Sequence, residues 1–150
     1  MIDRTCGTCS ACCRWPEIPA LNKPQGVTCP HLAGCGFECT IYQERPKMCA
    51  EFSCSWLQGH GQIFDRPDDC GVLIDRRDSQ FGDVLIARDL GTHSYEMKRE
   101  AISNISEDAQ LPCLLVADDD PERVLFVWCP EILRNSLIKR HPELKKLLAS

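Results

Sequence analysis

The pattern of apolar and polar positions divides the chain near residue 60. Up to Cys54, Pro16, Pro19, Pro24, Gly26, Pro30, Gly34 and Gly36 interrupt every apolar run, so loops and short turns are expected there. One exception begins at Arg45-Pro46. Proline is harmless at a first helical position, where its missing N–H would find no partner; the spacing predicts a helix over 46–56, stopped by Gly59-His60-Gly61. After a loop over 62–69, Val72-Leu73-Ile74 and Val84-Leu85-Ile86-Ala87 flank Asp78-Ser79-Gln80-Phe81-Gly82 and read as a hairpin. A helix is expected over 94–107, with Ser94 or Thr92 as N-cap and Met97, Ala101 and Ile105 on one face. A second hairpin joins Cys113–Ala117 to Val124–Trp128 through Asp118-Asp119-Asp120-Pro121-Glu122-Arg123. Pro130 opens a closing helix that breaks at His141-Pro142 and resumes through Leu144, Leu147 and Leu148. The order ββαββα predicts an α+β fold with one antiparallel sheet of four strands.

Cysteine content changes the picture of the first part. Nine of the 12 cysteines lie within residues 1–54, and four are compressed into Cys6-Gly7-Thr8-Cys9-Ser10-Ala11-Cys12-Cys13. A stretch so poor in large apolar residues cannot bury a core of its own, so bound metal has to supply much of its folding free energy. Disulfides would need an oxidising compartment. The start of the sequence shows no basic head followed by an apolar run, and no stretch of about 18 apolar residues could span a bilayer. The chain therefore reads as cytosolic, without a membrane association, where CxxC clusters bind metal or do redox chemistry. Residues 1–60 are expected to form a cysteine-cluster metal-binding region and residues 61–150 an α+β region packed against it as one compact unit.

Charge narrows the partner class. Residues 1–60 carry five Lys/Arg and five Asp/Glu, residues 61–150 carry 12 and 17, so the net charge of −5 lies in the second part. An acidic chain without a Lys/Arg stripe lacks the electrostatic footprint of a phosphate-backbone binder, which weighs against a nucleic-acid partner. GxxxxGK[ST], GxSxG, HExxH and GxGxxG do not occur. A methyltransferase or dehydrogenase built on a nucleotide-binding βα turn would need the last of these.

Cys6, Cys9 and Cys12 stand at intervals of three, followed at once by Cys13. Three close thiols with one remote thiol recur in [4Fe–4S] sites, where the remote Cys can precede Pro, as Cys29 does here. Structural zinc sites more often draw two separated CxxC-like pairs into one tetrahedron. The clustering slightly favours iron-sulfur and the abundance favours zinc. Neighbouring side chains point to different sides, so Cys12 and Cys13 cannot easily close one mononuclear tetrahedron, and a second ligand group is needed. Cys39, Cys49 and Cys54 supply it, and thiols distant in sequence are expected to meet around one shared metal region. In one regular helix Cys49 and Cys54 would lie about 140° apart around the axis. Either that helix loosens near Ser53 or the two thiols serve different centres.

At these residues the sequence resembles the CxxCxxCC, or YkgJ-type, cysteine-cluster proteins, described as zinc- or iron-chelating domains. The resemblance rests on Cys6-x2-Cys9-x2-Cys12-Cys13, Cys29-Pro30-His31-Leu32, Cys39-Thr40-Ile41-Tyr42-x2-Arg45-Pro46-x2-Cys49 and Phe52-x-Cys54, over roughly the first sixty residues. It implies metal chelation by Cys6, Cys9, Cys12, Cys13, Cys29, Cys39, Cys49 and Cys54 and implies no one reaction. A larger relative, flagellin lysine N-methylase, carries a similar cluster with which iron-sulfur is associated; this chain has no room for that enzyme's large additional domain.

Other polar positions receive plainer readings. Cys35 is expected to be a free loop thiol rather than a ninth ligand, since four-coordinate sites use ligands in fours. His31 is expected to hydrogen-bond a thiolate rather than bind metal. Cys70, Cys113 and Cys129 read as buried core thiols. Arg45 is balanced between donating to a sulfur or carboxylate and lying at the surface, Tyr42 and Trp56 are expected to pack against the cluster, and His60 and His93 read as surface histidines. Asp118, Asp119 and Asp120 lack the spaced oxygen ligands of a calcium loop and read as a solvated turn. Two classes of function stay open: a protein in which metal organises residues 6–56 while the rest presents a surface to a protein partner or substrate, and an iron-sulfur redox or protein-modifying enzyme or accessory subunit.

Overall fold

The computed structural model describes residues 3–33, 38–120 and 122–148. Its centre is a four-stranded mixed sheet of β1 (Val72–Ser79), β2 (Gly82–Asp89), β3 (Cys113–Val116) and β4 (Val124–Trp128), in the order β1-β2-β3-β4. Before the sheet come three short helices, α1 (Ala11–Arg14), α2 (Lys47–Glu51) and α3 (Pro67–Cys70); α4 (Tyr95–Ala109) joins β2 to β3, and α5 (Glu131–Arg140) follows β4. The chain is α+β, with a Cys-rich N-terminal region.

The sheet is not wholly antiparallel. β1 pairs with β2 and β3 with β4 in antiparallel register, but β3 runs parallel to β2, with Cys113 opposite Leu85. The reason is α4. A helix of 15 residues rises about 22 Å. It carries the chain from the end of β2 back to the end where β2 began, so the next strand starts in the same direction. Ser94 caps this helix by accepting from the Met97 amide at 3.3 Å. Ala101, Ile102 and Ile105 are buried, whereas Met97 is exposed, so the buried stripe is one residue wider and one turn shorter than the expected Met97-Ala101-Ile105 face.

In the first hairpin, Ser79 pairs with Gly82, leaving Gln80 and Phe81 as the loop. Gly82 has φ +88° and the Ser79 hydroxyl donates to its carbonyl at 3.0 Å, a conformation that glycine adopts without steric cost. The second hairpin carries a register shift at Leu115/Val116. Its turn is held by Asp120, whose carboxylate accepts from the Glu122 amide at 3.0 Å, and by an Arg123–Asp119 ion pair. This accounts for the acidic run as a turn; Pro121 lies outside the described residues.

Two apolar layers cover the sheet. On one side Val84, Leu114, Val127 and Cys129 meet Leu137 of α5 and Leu144 of the 3-10 turn Pro142–Leu147. On the other, Leu73, Leu85 and Cys113 meet Ala101, Ile102 and Ile105, and this layer also takes in Ala11, Trp15, Cys54 and Trp56. The cysteine-rich region and the sheet therefore share a hydrophobic core. Hydrogen bonds reinforce the join: Ser55 donates its amide to Ile74 at 2.8 Å, Gly61 donates to Asp108 of α4 at 2.8 Å, and Arg4 donates to the carbonyls of Trp56, His60 and Gly61, each at 2.7 Å. Asp65, 2 % exposed, accepts from the Gln62 amide and from Asn104 of α4. Among the described residues no helix is long and apolar enough to cross a membrane.

Candidate metal centre

Three local features of the backbone set out the thiols. Gly7, at φ +52°, turns the chain so that the Cys9 amide donates to the Cys6 carbonyl at 2.8 Å. A side chain at Gly7 would start 3.2 Å from the Arg66 guanidinium. Next, residues 13–18 fold back against 23–29. The Ile18 amide donates to Lys23, Gly26 to Trp15 and Cys29 to Cys13, the last at 2.8 Å, with Asn22 in the left-handed region at φ +49° closing the turn after Pro19–Leu21. Third, Leu32 bridges Cys39 in antiparallel fashion and Thr40 donates to the His31 carbonyl at 2.8 Å, which lays Cys29-Pro30-His31 beside Cys39-Thr40.

The helix expected over 46–56 is shorter. α2 ends at Glu51, and Phe52 is extended (φ −66°, ψ 130°). Cys49 stays on the helix, and the extended step carries Cys54, Ser55 and Trp56 into the core beneath the sheet. The register in which the two thiols would share a helix is thereby removed.

Electrostatics record which thiols act on which. Cys12 and Cys13, adjacent on α1, act on each other, so that Cys12 is raised and Cys13 lowered. Both lie on α1, where successive residues are separated by about 100° rather than the 180° of a strand, so adjacent side chains can touch. Cys12 is raised further by burial and by Cys6 and Cys9. Burial pushes Cys9 up to about 12, and its thiol lies against Asp68, itself paired with Arg66 at 2.7 Å. Cys54 is raised by burial and by Cys6, and Cys49 by burial and by Cys13, Cys29 and Cys39, with Arg45 acting in the opposite sense.

Lys23, which is not among the expected site residues, is 2 % exposed. Its ammonium donates to the carbonyls of Pro16 and Pro24, and no carboxylate among the described residues pairs with it. Burial lowers its pKa, while Cys29, Cys13, Cys49 and Cys12 raise it. A buried ammonium is costly unless it is hydrogen-bonded and balanced by an anion; two carbonyls accept from this one, and the ionisable groups acting on it are the four thiols. The one sequence sign was a lone lysine inside a proline-punctuated cysteine segment.

All eleven described cysteines are free thiols, and Cys35 lies outside the described residues. The eight expected ligands come within electrostatic reach of one another in subsets, but no three His, Cys, Asp or Glu side chains among the described residues stand close enough to hold an ion. Nearby groups act on some of these sulfurs, Asp68 on Cys9 and Cys13 on Cys12. A change between staggered χ1 rotamers moves a cysteine sulfur without moving the backbone. Sulfur is the ligand type that a thiophilic ion such as zinc or the iron of a cluster prefers, but the described residues do not gather three such ligands around one point; two buried donors of the region, Trp15 Nε1 and Ser55 Oγ, have no hydrogen-bond partner.

The other polar positions separate cleanly. Tyr42 is 56 % exposed rather than packed on the cluster, and the Arg45 guanidinium stacks on its ring at 3.9 Å and donates to its carbonyl. Trp56 is buried, donates to Gln62 at 2.9 Å and lies under the Arg4 guanidinium. Cys70, Cys113 and Cys129 are core thiols, all raised by burial, Cys70 to about 12. His93 is exposed, whereas His60 is half-buried, its carbonyl taken by Arg4. Comparison with protein-family models, curated proteins and solved structures finds no match to this chain.

Proposed function

We propose that this chain is a cysteine-ligated metal protein of the CxxCxxCC type, in which zinc or iron bound by Cys6, Cys9, Cys12, Cys13, Cys29, Cys39, Cys49 and Cys54 organises residues 6–56, and the α+β part offers a surface to a protein partner. The observation that carries it is Lys23, buried among the thiols of Cys13, Cys29 and Cys49 with no carboxylate partner among the described residues. Metal uptake would release the thiol protons to solvent and leave the anionic sulfurs that this ammonium compensates. Thiol-rich sites of this kind belong to a reducing compartment.

A second reading, an iron-sulfur redox protein or accessory subunit of a modifying enzyme, is favoured by the close thiols with a remote Cys29-Pro30 and by the exposure of Cys6 at the surface. Purification without oxygen followed by metal analysis tests both. Bound zinc with no colour supports the structural role; iron with sulfide and absorption near about 400 nm supports the cluster. Folded protein with no metal and eight reactive thiols contradicts both.

A further inference from the structure

We propose that the free edge of β1 pairs with the same edge of a second copy of this chain, antiparallel about a two-fold axis at Arg77, so that the four-stranded sheets of the two copies join into one. The α+β part alone carries this association, and metal binding does not enter it.

The ladder fixes which backbone groups face outward. In an antiparallel pair, successive residues turn their N–H and C=O alternately toward the neighbouring strand and away from it. Ser79 and Gly82 close a two-residue hairpin and bond to each other, so Ser79, Arg77, Asp75 and Leu73 point toward β2, whereas Asp78, Arg76 and Ile74 point out. The Ile74 carbonyl follows this parity, since it accepts from the Ser55 amide outside the sheet at 2.8 Å. β1 is an edge strand, and beyond Ile74 no described residue bonds to the outward amides and carbonyls of Arg76 and Asp78. The side chains of Arg76, Arg77 and Asp78 are exposed.

One register uses all of these groups. With Arg77 opposite its own copy, Arg76 lies opposite Asp78 and Asp78 opposite Arg76, and both pairs are of the hydrogen-bonded kind. An axis at Arg76 would need the Ile74 carbonyl that Ser55 holds, and an axis at Asp78 would run the strands into the turn at Gln80.

Charge agrees with that register. A row of charges ordinarily protects an edge from pairing, but their order here makes the edge complementary to itself. Asp78 stands directly across the β1–β2 ladder from Asp83, an unfavourable like-charge pair. Arg76 is paired with Asp83, and Asp78 has no cation of its own among the described residues. In the joined sheet, Arg76 of the second copy stands opposite Asp78 and supplies one. At the axis Arg77 meets Arg77, each keeping its own Asp75. This contact opposes pairing and places the association at the weak end of specific interfaces.

The test is sedimentation equilibrium of the whole chain from about 10 µM to about 1 mM, where an interface of the smallest class associates. Preparation without oxygen and in reductant keeps the exposed Cys6 from cross-linking copies. The expected result is a reversible monomer–dimer equilibrium, with exchange at the Arg76 and Asp78 amides slowed at high concentration and exchange at the Arg77 amide, already bonded within the hairpin, unchanged. Asp78→Arg sets like charges across the joint, and Asp78→Pro removes an outward N–H that an edge strand can spare; each should weaken association by about 10-fold or more, two symmetric pairs being affected at once. The charge exchange Arg76→Asp/Asp78→Arg should restore it to within about 3-fold, and Arg77→Thr should tighten it. Circular dichroism and thermal melts check that each variant folds. Wild-type chain that stays monomeric throughout overturns the proposal, as does a dimer that both Asp78 variants leave intact or one in which exchange slows elsewhere than at Arg76 and Asp78. A charge exchange that folds and fails to restore pairing overturns the register.

Discussion

The Cys29 amide donates to the Cys13 carbonyl at 2.8 Å, and Lys23, buried in the loop between them, feels both thiols. On the proposed metal-ligand reading, Lys23 would be the cation that compensates the Cys13 and Cys29 sulfurs. Lys23→Met keeps the bulk of the stem and removes the charge. It should weaken metal binding by roughly 10- to 100-fold, the range found when a group supporting a ligand is lost, and Lys23→Arg should recover part of it. Chelator competition measures this; equal affinity in Lys23→Met and wild type contradicts the role given to the ammonium.

Ligand thiols and core thiols should separate in thermal melts. If Cys9 and Cys49 are metal ligands as proposed, Cys9→Ala and Cys49→Ala should forfeit a share of the metal's contribution to folding, about 3 kcal/mol or more, or roughly 6–12 °C in Tm for a chain of this size. Cys113→Ala, at a fully buried position in the sheet core, should cost about 1 kcal/mol, roughly 2–4 °C. Chelator should erase the first difference and leave the second. Equal small shifts in all three would remove the distinction.

Gly61 is the tightest joint between the cysteine region and α4. Its φ is +78°, and a Cβ there would stand 2.6 Å from Ile105 Cγ1 and 2.8 Å from Asp65 Oδ2. Gly61→Ala should therefore destabilise the fold by about 2 kcal/mol or more through strain and overpacking. Gly59→Ala, also at positive φ but with open space around it, should cost about 1 kcal/mol. Denaturant melts of the pair check the order; a Gly61→Ala no worse than Gly59→Ala contradicts this account of the joint.

Cys70 gives a pH dependence with a definite sign. Burial lifts its pKa from 9.0 to about 12 in the fold, so the folded state keeps a proton that the unfolded state gives up. The stability linked to it is whole below pH 9.0 and falls as pH rises from there toward about 12, at up to about 1.4 kcal/mol per pH unit. Urea melts between neutral pH and pH 10 should show a shallower alkaline decline for Cys70→Ala than for wild type. Parallel declines would show that Cys70 is not the group responsible.

Much of the second part of the chain was legible because period and punctuation agreed there: Ser94 as cap, Ala101 and Ile105 on the buried face, Gly82 in the hairpin, and Pro130 and Pro142 bounding the closing helix. Strand direction was not, because periodicity marks Cys113–Val116 as a strand without saying that α4 sets it parallel to β2. In the first part the spacing Cys6, Cys9, Cys12, Cys13 marked the thiols but not their neighbours. Where Lys23 and Cys54 come to rest depends on the Asn22 turn and on the extended Phe52, features of backbone geometry that residue types alone leave open. The expected adjacency of Tyr42 to the cluster failed for a related reason: Arg45 is a nearer and better partner for its ring.

The shared core predicts how far metal removal reaches into the sheet. Trp15, Cys54 and Trp56 lie against Val72, Leu73 and Ile74 of β1, an edge strand, and Ser55 donates its amide to Ile74. β3 and β4 draw on other support, with Leu114 and Val127 packed against Leu137 and Leu144, none of which depends on a thiolate ligand. Hydrogen exchange on chelated protein should therefore show protection lost before about residue 60, lowered over Val72–Ile74, and kept at Leu85, Leu114 and Val127. Protection kept throughout β1 would mean that the cysteine region contributes nothing to the edge of the sheet. Protection lost together across all four strands would make the whole chain one cooperative unit whose core the metal holds in place, and the division near residue 60 would describe composition alone.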